Sequence, residues 1–498
     1  MDRLPTRVVY VIVDGMSTAA FEQVTASGRA PALSWLKERS DYVRDSVAIF
    51  PTITPAATSS LVTGATPAQH RIPGMCWYDR EQSRFVNFGQ SPRAAVLEGL
   101  SQIVEDLLVN LNERYLSRTV ATMHERLDEM GVSTASINYM IFRGPYRHEV
   151  KLNLLGRLLF RKQLPDFLCG PKEHYWADVV NGPSEACSKL LSARGLEQRI
   201  RVTDGWAACV TRELLEKKAA DMILFYLHEN DHTSHKEGPQ SQVESLVKVD
   251  EHIAHVLDGF DSWDEAVEDV GWVITADHSQ SPVLDGEHVF TLEDVLDDFN
   301  LVDPGRGTEP LEGDGCDLAV AGNGRLGFVY LHEDRKSFLH PAVVKSLLEA
   351  PGMDQVMFKT GSMYEVHTHR GVLRFEATEE GGVVDERGNQ WKLHGELGAV
   401  GAVVEDGGVR TPEYPLAMWR IQGALDLDRM GDIVVTTRLG YEIKDLAGSD
   451  HSGGGDHGSL HAQDSIVPFM STLSNPPLRP TTVDVVPHIV GHFQRLRS

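Results

Sequence analysis

The sequence has few cysteines, a shortage of basic residues and no long hydrophobic run, and each shortage excludes a class of protein. The 5 cysteines among 498 residues are odd in number and lack CxxC spacing, so we expect neither a disulfide framework nor a thiolate zinc site. We interpret Cys76, Cys169, Cys187, Cys209 and Cys316 as reduced structural thiols. No apolar run approaches the roughly 20 residues that a transmembrane helix needs.

Acidic residues outnumber basic ones, with 72 Asp and Glu against 47 Lys and Arg and a formal net charge of −25. A nucleic-acid polymer needs a broad basic face, so we expect none as a partner. A small phosphorylated substrate stays compatible with this charge, because bound metal ions can overcome a distant negative field. The chain enters an apolar run at Val8, too early for a signal peptide, and we therefore predict a cytoplasmic location.

Three short apolar runs are rich in β-branched and aromatic residues, a composition that predicts strands buried on both faces. The runs are Val8–Val13, Met222–Leu227 and Trp272–Ala276. Each is followed by acidic residues or histidines, namely Asp14, Asp231 with His235, and Asp277 with His278. In open α/β sheets ligands bind outside the carboxyl ends of such strands. Carboxylate and imidazole groups at these ends predict a site for divalent metal ions.

Two further segments join this set. His457 lies in the glycine-rich Gly453–Gly458 loop, and Thr54 lies in the Pro51–Gly64 segment, which we predict to open a helix. Three carboxylates and three imidazoles exceed what one tetrahedral zinc needs, and they suit two metals that clamp a phosphoryl group. A threonine without a histidine base becomes a nucleophile when a metal lowers the pKa of its hydroxyl.

Alternating strand-like and helix-like segments predict an α/β fold with a central, mostly parallel sheet flanked by helices. We assign residues 1–290 to this core, with a helical insertion near residues 84–215. Residues 291–430 contain glycine-rich turns and mixed strands, which predict an inserted α+β cap. Residues 431–498 then return to the core, beginning with the strand-like Asp432–Thr436 segment.

The order of these segments resembles the alkaline phosphatase superfamily in its type I phosphodiesterase/nucleotide pyrophosphatase branch. The matching pieces are Val-Asp-Gly at 13–15, Phe-Pro-Thr-Ile-Thr-Pro and Leu-Val-Thr-Gly within 50–64, the run from Asp231 through His235 to Gly238-Pro239, Asp277-His278, and His457-Gly458. The resemblance spans most of the chain. It implies an alkaline-phosphatase-like core and two divalent metal ions, usually zinc, with manganese serving some relatives.

The resemblance also implies a role for each residue. Thr54 would be the catalytic nucleophile and would form a phosphothreonine. One metal would be held by Asp14, Thr54, Asp277 and His278, and the other by Asp231, His235 and His457. The implied reaction is the cleavage of a phosphodiester or pyrophosphate bond in a nucleotide or another small phosphodiester, followed by hydrolysis of the phosphothreonine.

One position departs from the pattern of the branch. Where relatives commonly carry an asparagine that steadies a phosphoryl oxygen, this chain has Met75, and methionine cannot donate a hydrogen bond. We predict Asn138 and Arg143, near the end of the next strand, as the candidate substrate-binding donors. The departure bears on the identity of the substrate more than on the chemistry.

Other functions use the same residues. A phosphomonoesterase or a phosphonate hydrolase of the superfamily would keep both metals and change the substrate. A phosphate-transferring mutase is disfavoured, because the mutases of the superfamily that this chain resembles carry serine where this chain has Thr54. A phosphate binder without catalytic activity is disfavoured as well, because the ligand set and Thr54 are both complete.

Overall fold

The computed structural model describes residues 4–89, 100–151, 164–176, 179–180, 187, 203–303, 310–313, 315–444 and 450–497. A large part of the predicted helical insertion near 84–215 lies outside these residues. The described residues form two sheets, a large set of helices and several short hairpins.

The first sheet contains seven strands. In spatial order they are Asp41–Val47, Ile466–Ser471, Val270–Thr275, Arg7–Val13, Met222–Leu227, Thr134–Ile137 and Glu173–Tyr175. The five strands from Val270–Thr275 to Glu173–Tyr175 are mutually parallel, whereas Ile466–Ser471 is antiparallel to both neighbours. This arrangement confirms the central, mostly parallel sheet predicted from the sequence.

Both faces of the first sheet are buried. Along Arg7–Val13, Val8, Tyr10 and Ile12 pack into one hydrophobic cluster and the alternate residues into another, because successive side chains of a strand point to opposite faces. One face packs on helices Thr18–Ala26, Pro31–Glu38, Asp204–Glu216 and Gln242–Leu257, and the other on Thr54–Thr63, Met123–Glu129 and Val485–Arg495. The apolar strand sequences follow from this double burial.

The remaining helices of the described residues are shorter or lie at the periphery. They are Pro67–His70, Leu100–Glu105, the π-helix Asp106–Tyr115, Glu229–Glu237, Trp263–Asp269, Leu292–Val295, Lys336–Glu349, Ala417–Leu425 and Ala462–Ser465, with 3₁₀ turns at Pro239–Ser241, Glu333–Arg335, Leu397–Val400 and Thr482–Asp484. None of the helices in the described part of the chain is long and apolar enough to cross a membrane.

The second sheet contains ten strands and is almost wholly antiparallel. Its spatial order is Leu318–Asn323, Leu326–Leu331, Ile433–Thr437, Met353–Thr360, Met363–Thr368, Gly371–Thr378, Gln390–Gly395, Val383–Val384, Gly408–Arg410 and Val403–Glu405. Four two-stranded pairs lie outside both sheets: Cys76–Asp79 with Arg84–Asn87, Tyr146–Glu149 with Phe167–Gly170, Ser281–Pro282 with Gly455–Asp456, and Val289–Phe290 with Glu442–Ile443.

The strand Ile433–Thr437 corrects one expectation from the sequence. We expected the core to resume at Asp432, but this strand lies inside the second sheet, between Leu326–Leu331 and Met353–Thr360. A short run of buried β-branched residues looks the same in either sheet, so the sequence alone does not assign it. The chain rejoins the first sheet at Ile466–Ser471. The cap boundaries, 291–430, stay a prediction.

The cysteines give a second correction. Cys187 and Cys209 form a disulfide, so the prediction of reduced thiols is wrong for this pair. Cys209 lies in the helix Asp204–Glu216, and folding brings the two Cα atoms to 5.8 Å, a proximity that the sequence spacing does not reveal. Disulfides persist mainly in oxidising compartments, so the cytoplasmic location stays a prediction.

A hairpin tip of the second sheet is joined to the loops of the first sheet by a buried ion pair. Nη1 of Arg325 lies 2.7 Å from Oδ2 of Asp464, and both side chains are fully buried. The same guanidinium donates to Oγ of Ser281 at 2.8 Å and to Oγ of Ser459 at 3.2 Å. These serines follow His278 and His457 closely in the sequence, so Arg325 fixes both loops.

Replacement of Asp464 by asparagine should destabilise the protein strongly, because it leaves the Arg325 charge buried without a counterion. Loss of one partner of a buried pair typically costs about 3–5 kcal/mol. The exposed pair Arg29–Glu244 provides the control, and we expect little change for Glu244→Gln. Urea denaturation of the three proteins measures the difference, and equal midpoints for both variants would contradict the role of the buried pair.

Candidate metal and catalytic site

Three strands of the first sheet bring the predicted carboxylates together at one edge. Asp14 follows Arg7–Val13, Asp277 follows Val270–Thr275, and Asp231 lies in the first turn of the helix after Met222–Leu227. These strands are neighbours with Arg7–Val13 in the middle, and they are parallel. Their carboxyl ends therefore meet at the same edge, as the sequence analysis expected.

The first group of side chains surrounds Nε2 of His278. Oγ1 of Thr54 lies 3.0 Å from this nitrogen, Oδ1 of Asp14 lies 3.4 Å away, and Oδ2 of Asp277 lies 3.5 Å away. Asp14 and Asp277 are 5% and 0% exposed, and these two carboxylate oxygens have no hydrogen-bond partner. Buried carboxylate oxygens without a partner are costly, and a cation would satisfy both of them.

The second group consists of Asp231, His235 and His457. Oδ2 of Asp231 lies 3.3 Å from Nε2 of His235, and Oδ1 lies 3.7 Å from Nε2 of His457. The two Nε2 atoms are 3.2 Å apart. The rings of His457 and His278 stack with centroids at 3.6 Å and a tilt of 18°. The two groups are thus adjacent, as a two-metal site requires.

Each histidine of the two groups presents Nε2 as an acceptor. Nδ1 of His235 lies 2.8 Å from the carbonyl of Gly455, Nδ1 of His457 lies 2.7 Å from that of Thr52, and Nδ1 of His278 lies 3.2 Å from that of Ser279. A carbonyl oxygen only accepts, so Nδ1 carries the proton and Nε2 carries a lone pair. This arrangement is typical of metal-ligating histidines, and it fits divalent cations such as zinc.

Burial and mutual repulsion shift the pKa values of these groups in the absence of metal. Burial, then the charges of Asp277 and Asp231, raises the pKa of Asp14 well above its usual range. Burial and Asp231 raise the pKa of Asp277 to about 7. Burial lowers the pKa values of His278 and His457 to about 4, so both are neutral at pH 7. Neutral imidazoles and crowded carboxylates are the state that a metal ion stabilises.

Thr54 is the first residue of the helix Thr54–Thr63, as the sequence analysis predicted. The first backbone N–H groups of a helix have no partner within the helix, and the helix dipole favours negative charge there. Pro55 at the second position fits the helix start, where no donor is required. Thr54 therefore lies where an anionic oxygen or a phosphoryl group is stabilised.

The family described as type I phosphodiesterase / nucleotide pyrophosphatase matches residues 8–460. The chain belongs to this family. Among solved structures, the mouse ectonucleotide pyrophosphatase / phosphodiesterase 5 is 13% identical, with a TM-score of 0.54, over 97% of this chain and 95% of the other. A phosphonoacetate hydrolase from Sinorhizobium meliloti 1021 is 18% identical, with a TM-score of 0.57, over 98% and 97%. No curated protein sequence matches.

These likenesses to solved structures concern the fold. They agree with the alkaline-phosphatase-like architecture predicted from the sequence. The family match supports a hydrolase of phosphodiester or pyrophosphate bonds, or of phosphonates, within this superfamily.

The two predicted substrate-binding residues have different surroundings. Asn138 follows the strand Thr134–Ile137 with a φ of 60°, and its Nδ2 lies 3.5 Å from Nδ1 of His228. Arg143 is 2% exposed, and all five of its N–H donors are used by Glu125 and by backbone carbonyls. Arg143 therefore has no donor left for a substrate, and the structure contradicts that prediction. Asn138 stays a candidate.

The backbone around Met75 is fixed by the second sheet. The N–H groups of Met75 and Cys76 donate to Oδ1 of Asn323 at 2.8 and 2.9 Å, and Nδ2 of Asn323 donates to the carbonyl of Cys76 at 2.8 Å. Asn323 was not predicted as a partner of this loop, because the contact joins residues almost 250 positions apart. No local signal could have revealed it.

A third grouping lies beside the second one. His235, His451 and Asp456 also have ligand atoms close enough for a metal. However, Nδ1 of His451 lies 2.8 Å from Oε1 of Glu442, and His235 already directs Nε2 toward Asp231. Glu442 and Asp456 together raise the pKa of His451 to about 10, although burial opposes the shift. His451 is therefore a partly buried cation between two carboxylates.

Metal-free protein should lose stability relative to zinc-loaded protein as the pH rises from about 5 to 8. The pKa of Asp277 is about 7 in the fold but near 4 in an unfolded chain, so protonation favours the folded state and its loss disfavours it. His278 and His457 have pKa values of about 4 in the fold and take up a proton near pH 6.5 only in the unfolded chain, so they affect both forms alike and cancel in the comparison.

Bound zinc should remove the part of the pH dependence that Asp277 causes, because it replaces the proton as the partner of this carboxylate. Thermal unfolding of chelator-treated and zinc-loaded protein across this pH range tests the prediction, and the gain from zinc should be largest near the upper end. A gain from zinc that does not grow with pH would contradict the assignment.

Proposed function

We propose that the protein is a two-metal hydrolase that cleaves phosphodiester or pyrophosphate bonds through a phosphothreonine at Thr54. The observation that carries the proposal is the position of Oγ1 of Thr54, at the start of a helix and 3.0 Å from Nε2 of His278. Two buried carboxylate oxygens without partners, from Asp14 and Asp277, belong to the same group. Membership of the family supports the reaction class.

The residues that would hold the metals follow from the two groups. Asp14, Thr54, Asp277 and His278 would hold one divalent ion, and Asp231, His235 and His457 the other. Imidazole nitrogens mixed with carboxylate oxygens favour zinc, and manganese accepts the same donors less strongly. When bound, the two ions would lower the pKa of the Thr54 hydroxyl and offset the negative charge of the phosphoryl group.

The chain's own groups account for the remaining requirements of the reaction. Oγ1 of Thr54 loses its proton to water and attacks phosphorus, so the Oγ–P bond forms while the bond to the leaving oxygen breaks. The start of the helix Thr54–Thr63 stabilises the charge on the phosphoryl oxygens. Water then attacks phosphorus, the Oγ–P bond breaks, and Thr54 regains a proton.

A phosphonate hydrolase is the second candidate, because Met75 leaves the site without the amide donor expected for nucleotide substrates. The S. meliloti protein with the same fold was solved with phosphonoacetate and with phosphonoformate. The mouse protein was solved with AMP as an inactive variant in which a threonine is replaced by alanine. The S. meliloti protein thus illustrates phosphonate ligands and the mouse protein a nucleotide ligand. The inactive variant of the mouse protein is in keeping with a threonine that is essential for catalysis.

Thr54→Ala should reduce turnover by at least about 10³-fold, because no other hydroxyl replaces the nucleophile. Metal content should stay near two ions per chain, since three ligands of the first group remain. Thr54→Ser should retain part of the activity. Thr63→Ala, a buried threonine at the other end of the same helix, is the matched control and should leave kcat unchanged. Full activity of Thr54→Ala would remove the covalent mechanism.

Rates with three model substrates should separate the candidates. We expect zinc-loaded protein to hydrolyse bis-p-nitrophenyl phosphate faster than p-nitrophenyl phosphate, because two divalent ions already balance three carboxylates and an ionised threonine. A dianionic monoester would need additional positive groups at the site. A phenylphosphonate ester tests the second candidate directly. Preference for the monoester would contradict the diesterase assignment, and no turnover with any metal would favour a phosphate binder.

A further inference from the structure

Every carboxylate of the two groups has one oxygen held by a donor that is not a metal ligand. Oδ1 of Asp277 accepts the backbone N–H groups of Gly15 at 3.2 Å and of His278 at 3.0 Å. For Asp14 and Asp231 the donors are side chains, Tyr226 and Gln280.

The oxygen that remains on each carboxylate faces its own group. Oδ1 of Asp14 lies 3.4 Å from Nε2 of His278, and Oδ2 of Asp231 lies 3.3 Å from Nε2 of His235. The hydroxyl of Tyr226 donates to the other oxygen of Asp14, and Nε2 of Gln280 donates to the other oxygen of Asp231. For Asp231 the oxygen bound by Gln280 lies 3.7 Å from Nε2 of His457, so each side-chain donor occupies one oxygen and leaves the oxygen nearer to a histidine Nε2 without a side-chain donor.

We propose that Tyr226 and Gln280 are positioning residues, each for one of the two metals, and that they set the two metal affinities separately. The inference rests on the two-metal part of the proposed function and not on the identity of the substrate. Outer partners of this kind typically change metal affinity by about 10–100-fold when removed.

Each of the two donors, Tyr226 and Gln280, comes from the chain segment that carries the ligands of the other group. Tyr226 belongs to the strand Met222–Leu227, which leads to Asp231 of the second group, but it contacts Asp14 of the first. Gln280 belongs to the loop after His278 of the first group, but it contacts Asp231 of the second. This crossed arrangement ties each ligand group to the chain segment that carries the other, and so it holds the two ligand groups next to each other.

Tyr226 has little freedom to move. It is 5% exposed, and its ring meets Tyr139 edge-on with centroids 5.3 Å apart. The hydroxyl of Tyr139 donates to the carbonyl of Thr58 at 2.7 Å, one turn after Thr54 in the nucleophile helix. A phenol with a usual pKa of about 10 keeps its proton at neutral pH, so Tyr226 acts as a donor.

Gln280 is 4% exposed and also donates to the backbone carbonyl of Asp231 at 3.3 Å. Its amide carries no charge and does not compete for the metals. On another side it lines a cavity of about 600 Å³ together with Gln463 and Ser17. A methionine side chain of similar length would fit at this position without the hydrogen bonds to Asp231.

Four variants test the proposal. Tyr226→Phe and Gln280→Met remove the two donors. Tyr10→Phe removes a buried hydroxyl on the neighbouring strand that donates to the carbonyl of Leu61 at 3.4 Å, and Gln463→Met changes another residue of the same cavity. The measurement is zinc affinity of metal-free protein against a chromophoric chelator, without substrate.

We expect Tyr226→Phe to weaken one zinc-binding step and Gln280→Met the other, each by about 10–100-fold, while both controls match the wild type. Asp231→Asn removes the carboxylate of the second group. In that background Tyr226→Phe should still weaken the remaining zinc, and Gln280→Met should have no effect. In an Asp14→Asn background the pattern should reverse.

Several results would overturn the proposal. The first is an unchanged zinc affinity in both donor variants. The second is an equal weakening of both zinc-binding steps by one variant. The third is a loss of zinc affinity in the control variants as large as that in the donor variants. Circular dichroism of each metal-free variant identifies a loss of fold, and Tyr226→Leu and Gln280→Leu then repeat the test with other side chains that lack the donor. Separate affinity changes in a protein that hydrolyses no substrate would support the positioning residues and overturn the proposed function. Wild-type protein that binds fewer than two zinc ions would overturn both.

Discussion

Repulsion between the buried carboxylates of Asp14 and Asp277, with the partly buried Asp231 beside them, is the constraint on which the rest of the site depends. Asp14, Asp231 and Asp277 lie side by side where water is largely excluded, and in the described residues their ion pairs are all with histidines. His278 and His457 have pKa values of about 4 and bring lone pairs rather than charge, whereas Asp231 raises the pKa of His235 although burial opposes the shift. The cluster therefore needs cations from outside the chain, and its residues are arranged to receive them. Metal binding and the stability of the fold are linked for this reason.

The first sheet creates this crowding. Its parallel strands end at one edge, and the middle strand Arg7–Val13 has a carboxylate-bearing strand on each side. Because the backbone hydrogen bonds hold the strands about 4.8 Å apart, residues just beyond their ends cannot separate. The second sheet adds a further restraint through the buried Arg325–Asp464 pair, because Arg325 also contacts Ser281 and Ser459 in the loops after His278 and His457. The ligands are thus held close together before any metal binds.

The sequence predicted the parts of the site that local patterns encode. Buried strands ending in Asp or His, and a threonine at a helix start, are visible within a few residues, and the structure brings all of them together. Long-range contacts were not visible. Arg143 was predicted as a substrate ligand, but in the fold its N–H groups donate to Glu125 and to backbone carbonyls. The contact between Tyr226 and Asp14 was not predicted, because Tyr226 has the sequence context of an ordinary strand residue. The strand Ile433–Thr437 was assigned to the wrong sheet because periodicity does not specify strand partners.

The loop at Met75 is held in place by the second sheet. Asn323 accepts from two consecutive backbone N–H groups of this loop and donates to the carbonyl of Cys76, so its amide fixes the loop backbone. The side chain of Met75 is partly buried and packs against the core, and a methionine cannot donate a hydrogen bond. Arg143 cannot supply the missing donor, because Glu125 and backbone carbonyls use its N–H groups. Of the two donors predicted from the sequence, Asn138 therefore stays the candidate.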